Sequence, residues 1–218
     1  MNAFLEFVID LIYPPRCSFC RKIIERKENG ICSACMGILP LLKGTEQKRM
    51  LENGIACYTP LKYDSTVRDS FLRYKFYGFV SYAETYSKLL AACIEEQSIE
   101  CDLVTWVPLS RKRKKKRGYD QAELLAEGIS SLLGLDCKKI LYKNRETKAQ
   151  SLTNDHKERK QNVKGVYSLK DGERIEGKKI LLIDDIVTTG ATLSECGAVL
   201  IKEGAASVAA VALASAAK

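Results

Sequence analysis

The sequence has no apolar run approaching the ~18 residues that a membrane-spanning helix needs, so no transmembrane segment is expected. It shows no secretory signal either. Residues Met1–Pro15 carry no basic leader, and Glu6 and Asp10 interrupt their apolar stretch. A reducing, cytoplasmic location is therefore expected. Histidine is nearly absent: the single copy, His156, lies in a strongly polar stretch where a solvated role is expected, and no Ser-His-Asp or Cys-His set is invoked. Aromatic residues are few (8%), and only Trp106 and Tyr119 lie near the most basic stretch of the chain, so no base-stacking platform is evident there. There is no internal repeat. The remaining composition, 46% hydrophobic and 28% charged over 218 residues, excludes disordered and collagen-like chains and suits one main domain plus a small module.

Charge is unevenly placed. Lys and Arg number 35 against 27 acidic residues, but the run Arg111-Lys112-Arg113-Lys114-Lys115-Lys116-Arg117 supplies seven of them, and without it the balance is 28 against 27. Such a patch attracts nucleic acid, anionic lipid or a polyphosphate ligand; the plainer alternative is a solvated basic loop.

Nine cysteines are present. Four fall as Cys17-x2-Cys20 and, after eleven residues, Cys32-x2-Cys35. Two such knuckles supply four thiolates at tetrahedral geometry, which predicts one structural zinc with no open position. The segment is too small to hold a core, so metal is expected to hold it. The remaining Cys57, Cys93, Cys101, Cys137 and Cys196 read as small apolar residues.

Along the chain, Phe4–Ile12 has helical spacing and ends at Pro14-Pro15. Lys43–Asn53 reads as a polar linker. Strands are expected over Ile55–Leu61, Leu103–Val107, Lys138–Leu141, Val166–Leu169, Ile180–Ile183 and Val208–Leu213. Helices are expected over Ser65–Tyr77, Tyr82–Glu96, Gln121–Leu133 and Leu193–Glu203, the third with Asp120 as cap, Glu123 completing a capping box and Gly134 as stop. Lys143–Lys164, strongly polar, is expected to be a mobile excursion. The alternation predicts an α/β fold with a mostly parallel sheet and flanking helices, preceded by a small zinc-binding module. The division expected is 1–50 for the N-terminal helix and four-Cys module and 51–218 for the main domain.

The chemistry concentrates after Ile180–Ile183. Asp184-Asp185 stand at a strand's carboxyl end, where open α/β sheets bind ligands. Thr188-Thr189-Gly190-Ala191-Thr192 then leads into a helix. Backbone N–H groups and hydroxyls at a helix N-terminus suit a phosphate monoester, and the two carboxylates suit sugar hydroxyls or hydrated Mg²⁺. By contrast, Gly172–Lys179 nearly spells an ATP-binding loop but ends in Lys and precedes a strand, so it reads as a turn.

The string ILLIDDIVTTGATL resembles the phosphoribosyl pyrophosphate (PRPP) signature of type I phosphoribosyltransferases. With the four-Cys module, Val107-Pro108-Leu109-Ser110, Arg117–Ala122, Arg145-x-Thr147-x2-Gln150 and Arg159-x2-Asn162-Val163, the chain resembles the ComF family of competence proteins over essentially its whole length. That family usually shows Asn where Asp120 stands here.

The resemblance implies a type I phosphoribosyltransferase-like domain. Thr188, Thr189, Gly190, Ala191 and Thr192 would take the 5′-phosphate, and Asp184 and Asp185 the ribose hydroxyls. Leu109, Ser110 and Arg111 would take pyrophosphate, with Arg145, Lys148 and Gln150 steadying its departure and Mg²⁺ bridging oxygens. It also implies a role in natural competence, with single-stranded DNA, a competence helicase or a recombination mediator as partners. Lys112, Arg113, Lys114, Lys115, Lys116 and Arg117 are the nucleic-acid candidates. Three readings follow: a PRPP-dependent transferase; a single-stranded DNA-binding factor whose PRPP site is regulatory or structural; and an adaptor, against which the intact acid loop weighs.

Overall fold

The computed structural model describes residues 13–145 and 163–216. The expected N-terminal helix, most of the polar excursion, Lys148, Gln150, His156, Arg159 and Asn162 lie outside the described residues.

In chain order the elements are α1 (Ser33–Ile38), β1 (Lys48–Met50), β2 (Ala56–Tyr58), β3 (Leu61–Lys62), α2 (Ser65–Phe76), α3 (Tyr82–Glu96) and β4 (Leu103–Trp106). Then come α4 (Arg111–Arg117), α5 (Gln121–Leu133), β5 (Leu141–Lys143), β6 (Tyr167–Leu169), β7 (Lys179–Val187), α6 (Ala191–Lys202) and β8 (Ser207–Ser215). The main sheet runs β1-β2-β8-β7-β4, with β3 also on β8. Every pairing in it is parallel except β1 with β2. β5 and β6 form a separate antiparallel ladder.

The two-residue period of a strand divides the core. In β7, Leu181 and Ile183 join one apolar cluster with residues of α2, α3 and α5, while Ile180 and Leu182 join a second cluster with α6. Both faces are thus covered, which is why Ile180–Ile183 is apolar without alternation. The cysteine segment belongs to the first cluster: Cys17, Phe19, Ile24 and Ile31 pack with Val67, Phe71 and Tyr86.

Several expectations are corrected. The polar segment Lys43–Asn53 is no linker: it forms a short 3-10 turn over Gly44–Gln47 and then β1 at the sheet edge. Edge pairing uses backbone groups and needs no apolar run. Buried Gln47 satisfies its amide on Leu42 and Glu96. The strand expected over Ile55–Leu61 splits at Thr59-Pro60, because proline has no N–H for the ladder. The strand expected at Lys138–Leu141 falls instead on Leu141–Lys143. The basic run is neither a turn nor a loop. It is helix α4, capped by the Ser110 hydroxyl, which accepts from Arg113 N–H at 3.4 Å, and closed by Gly118 at φ 84°.

Candidate functional site

β7 continues beyond its apolar run through Asp184 and Asp185 to Val187. Strand alternation therefore turns the two neighbouring acids to opposite faces. Asp184 feels Cys57, Tyr167 and Cys196. Asp185 feels Tyr63, Tyr74 and Arg117. Both acids open into one cavity of about 670 Å³ between β7, the end of α2 and the basic helix. Burial, and then the charge of Asp185, push the Asp184 carboxyl well above its ordinary value; Lys75 opposes that rise. Lys75 Nζ lies 3.2 Å from Asp185 Oδ2.

The loop after β7 reaches α6 through Gly190, whose φ of +81° is the left-handed conformation that favours glycine. A Cβ there would stand 2.6 Å from Leu51 Cδ2 and 2.9 Å from Arg49 Nη2. No side chain caps this helix at Gly190, while Thr189 Oγ1 accepts from Ala191 N–H at 3.3 Å. Thr188, Thr189, Ala191 and Thr192 are half-buried, and Thr192 lines the cavity.

Among the pyrophosphate candidates, Leu109 lines the cavity and its N–H donates to Asp120 Oδ2 at 2.9 Å. Ser110 is buried beneath α4 as its cap, and Arg111 is exposed. Arg145, also exposed, donates to the Lys164 carbonyl at 3.0 Å.

Asp120 is buried and uses both oxygens, Oδ1 accepting from Ala122 N–H at 3.2 Å to cap α5. An amide offers one such oxygen, so a carboxyl here serves two N–H groups at once. Burial raises its pKa, partly offset by the Leu109 N–H. Glu123 does not complete a capping box; its carboxylate pairs with Lys114.

The helix divides the basic run. Arg113, Lys116 and Arg117, at i, i+3 and i+4, share the face that lines the cavity. Lys112 and Lys115 are exposed elsewhere. The expectation that only Trp106 and Tyr119 lie near this run is also corrected. Phe76, 58% exposed, lies under the Arg117 guanidinium at 5.1 Å, whereas Trp106 is buried in the core.

The four cysteines of the N-terminal segment bring their Sγ atoms within 4.8 Å of one another. Cys32 N–H points at Cys17 Sγ and Cys35 N–H at Cys32 Sγ, each at 3.4 Å. Burial opposes ionisation of Cys17, but N–H groups of Cys20, Cys32 and Phe19 outweigh it and bring the thiol down to about 7. Four converging sulfurs with N–H donors stabilising thiolate charge fit a closed structural zinc.

Comparison with known proteins agrees. A family model for the phosphoribosyl transferase domain matches residues 116–218, and one for a double zinc ribbon domain matches residues 8–46. Competence protein ComFC of Streptococcus pneumoniae is 32% identical over 197 residues, 88% of this chain and 84% of that protein. The chain belongs to the ComF family. Competence protein F of Haemophilus influenzae is 27% identical over 87% of this chain and 92% of its own. DNA utilization protein YhgH of Escherichia coli is 32% identical over 49% of this chain and 46% of its own. Among solved structures, the allosteric regulatory enzyme of purine biosynthesis superposes with a TM-score of 0.43 at 23% identity, over 65% of this chain and 29% of that one. Adenine phosphoribosyltransferase from Thermoanaerobacter pseudethanolicus gives 0.42 at 14% identity, over 64% and 83%.

This ComF chain thus has a type I phosphoribosyltransferase fold preceded by a zinc ribbon. Among its described residues no helix is long and apolar enough to cross a membrane. Sequence reasoning missed Lys75 and Phe76. Their one signal was the pair of cations Arg73 and Lys75 in the last turn of a helix, which reads equally as complement to the helix dipole.

Proposed function

We propose that this ComF protein binds PRPP as its magnesium complex and transfers the phosphoribosyl group to an acceptor, in the service of DNA uptake. The observation that carries this is the acid pair of β7 opening into a cation-lined cavity beside a helix N-terminus that no side chain caps at Gly190. Asp184 and Asp185 would accept from the ribose hydroxyls. The Thr188–Thr192 loop would hold the 5′-phosphate through backbone N–H groups. Arg113, Lys116 and Arg117 stand where the cavity meets α4, so they would meet pyrophosphate along with the Leu109 turn. Bound with PRPP, Mg²⁺ would neutralise part of the charge on its pyrophosphate. The C1–O bond to pyrophosphate breaks as the acceptor bonds C1, so the protein's work is positioning and charge stabilisation. The relatives' names support the competence role. Nine cysteines, four of them gathered as a metal set, support a reducing, cytoplasmic setting.

A second reading, a single-stranded DNA-binding factor with a regulatory PRPP site, is favoured by the exposed Phe76 against the basic helix. Calorimetry with PRPP and Mg²⁺, followed by pyrophosphate release against a panel of acceptors, separates the two. Binding with turnover supports the first and binding without turnover the second. No binding to the wild type refutes a PRPP site.

A further inference from the structure

We propose that Lys75 is a positioning residue of this site, its ammonium orienting the Asp185 carboxylate so that two adjacent acids meet the ribose as separate anions. The proposal rests on the PRPP reading above and adds to it a residue from a helix outside the acid loop.

Adjacent carboxylates repel, and a pair left alone tends to share a proton. Here alternation sends Asp184 and Asp185 to opposite faces, and each face has its own surroundings. On the Asp185 side stand Lys75 and Tyr74 of α2, Tyr63 just before it, and Arg117 of α4. On the Asp184 side stand Cys57 of β2, Tyr167 of β6 and Cys196 of α6, with Asp120 acting at longer range. Among these, Lys75 is the cation within ion-pair distance of the acids. Arg117 is otherwise engaged, donating to Gln121 Oε1 at 2.8 Å and lying over Phe76.

Lys75 is also held in place, which is what positioning requires. The last turn of α2 leaves carbonyls without helical partners, and two of them are tied to the segment flanking Asp120. Tyr119 donates its hydroxyl to the Tyr74 carbonyl, and Gln121 Nε2 donates to the Lys75 carbonyl at 3.5 Å. In return, Tyr74 donates its hydroxyl to the Gln121 carbonyl at 2.9 Å. Lys75 Nζ lies over the Phe71 ring, 5.1 Å from the ring centre. Its side chain is 25% exposed and that of Asp185 16%, so the pair is sheltered from most solvent screening. The ammonium offers donors to Asp185 Oδ2, while Asp185 Oδ1 accepts from Ile186 N–H at 2.6 Å. Both oxygens of this acid are thus engaged before any ligand arrives, and Asp184 Oδ1 accepts from Asp185 N–H at 2.8 Å.

The test compares wild type, Lys75→Met, Lys75→Gln and Lys75→Arg. Two quantities are read: the affinity for PRPP with Mg²⁺ between pH 6 and 9 by calorimetry, and the carboxyl titration of the ligand-free protein by carbon-detected NMR. Without the ammonium, which opposes the rise of Asp184, that carboxyl should titrate at still higher pH. PRPP should then bind about tenfold more weakly at neutral pH, the effect of moving one carboxylate midpoint by one pH unit, and the deficit should close toward pH 9. Lys75→Arg should restore most of the affinity and the profile. A merely structural lysine would weaken binding equally at every pH, and that result, or an unchanged profile in a folded Met or Gln variant, overturns the proposal. If wild type does not bind PRPP at all, the PRPP reading fails, and the carboxyl titration still decides whether Lys75 governs the acid pair.

Discussion

Arg73 Nη2 donates to the carbonyl oxygen of Phe19 at 2.5 Å, tying helix α2 to the first zinc knuckle. Ser70 on the same helix donates to the neighbouring Ser18 carbonyl at 2.5 Å. Two residues beyond Arg73, Lys75 meets Asp185 in the cavity. One helix therefore touches the cysteine module on one face and the acid pair on another.

Zinc loss should reach the cavity through that helix. Cys32→Ser with Cys35→Ser should release about one equivalent of zinc, open the N-terminal segment to protease and weaken PRPP binding, although no cysteine of the module lines the cavity. Elemental analysis, limited proteolysis and calorimetry read the three effects. Full PRPP affinity in zinc-free protein would show that α2 keeps its place unaided. Arg73→Ala alone, removing a charge-assisted hydrogen bond worth about 1.5–3 kcal/mol, should lower the denaturant midpoint with zinc retained.

The acid pair should trade stability for binding. Burial raises Asp184 above its ordinary value, so the native state holds a proton that the unfolded state releases at lower pH. The stability this group contributes is present at acid pH and is lost as pH rises through its native midpoint. Asp184→Asn should therefore raise the melting temperature of ligand-free protein at neutral pH, by about 2–4 °C for each kcal/mol recovered, with the gain fading toward pH 4. With Asp185→Asn it should abolish PRPP binding. Thermal scans across pH and calorimetry on the folded double variant check both, and unchanged affinity would sink the acid pair as the ribose site.

Gly190→Ala should be costly at the loop. The left-handed φ alone disfavours a side chain by about 1–2 kcal/mol, and Leu51 and Arg49 occupy the space a Cβ needs. A lower denaturant midpoint and weaker binding of PRPP are expected. A variant as stable as wild type would mean that the loop relaxes freely.

The two faces of α4 should separate in function. Lys112→Gln with Lys115→Gln, on the exposed side, should flatten the salt dependence of single-stranded DNA binding by ~0.7 in log K per log salt for each phosphate no longer neutralised, leaving PRPP affinity intact. Arg113→Gln with Lys116→Gln should weaken PRPP. Phe76→Ala should weaken DNA evenly across salt, because stacking is not screened. Fluorescence titrations at two salt concentrations read all three, and a DNA slope untouched by the outer-face variant would remove that face from any nucleic-acid role.

Much of this protein was settled by sequence alone. The spacing of Cys17, Cys20, Cys32 and Cys35 called for a tetrahedral metal because a short segment cannot bury a core of its own. The unbroken apolar run Ile180–Ile183 called for a strand covered on both faces, since only such a strand has no side exposed to water. Asp184-Asp185 followed by Thr188–Thr192 marked the carboxyl end of that strand as the expected ligand end. Tertiary structure decided what depends on partners distant in the chain. The polar segment around Arg49 became an edge strand because β2 offered its backbone. The seven cations of Arg111–Arg117, equivalent as a string, were divided by helical phase, which set Arg113, Lys116 and Arg117 on the cavity side. Lys75 lies about a hundred residues before Asp185, and no local pattern relates them. Only the packing of α2 against the sheet brings that ammonium to that carboxylate.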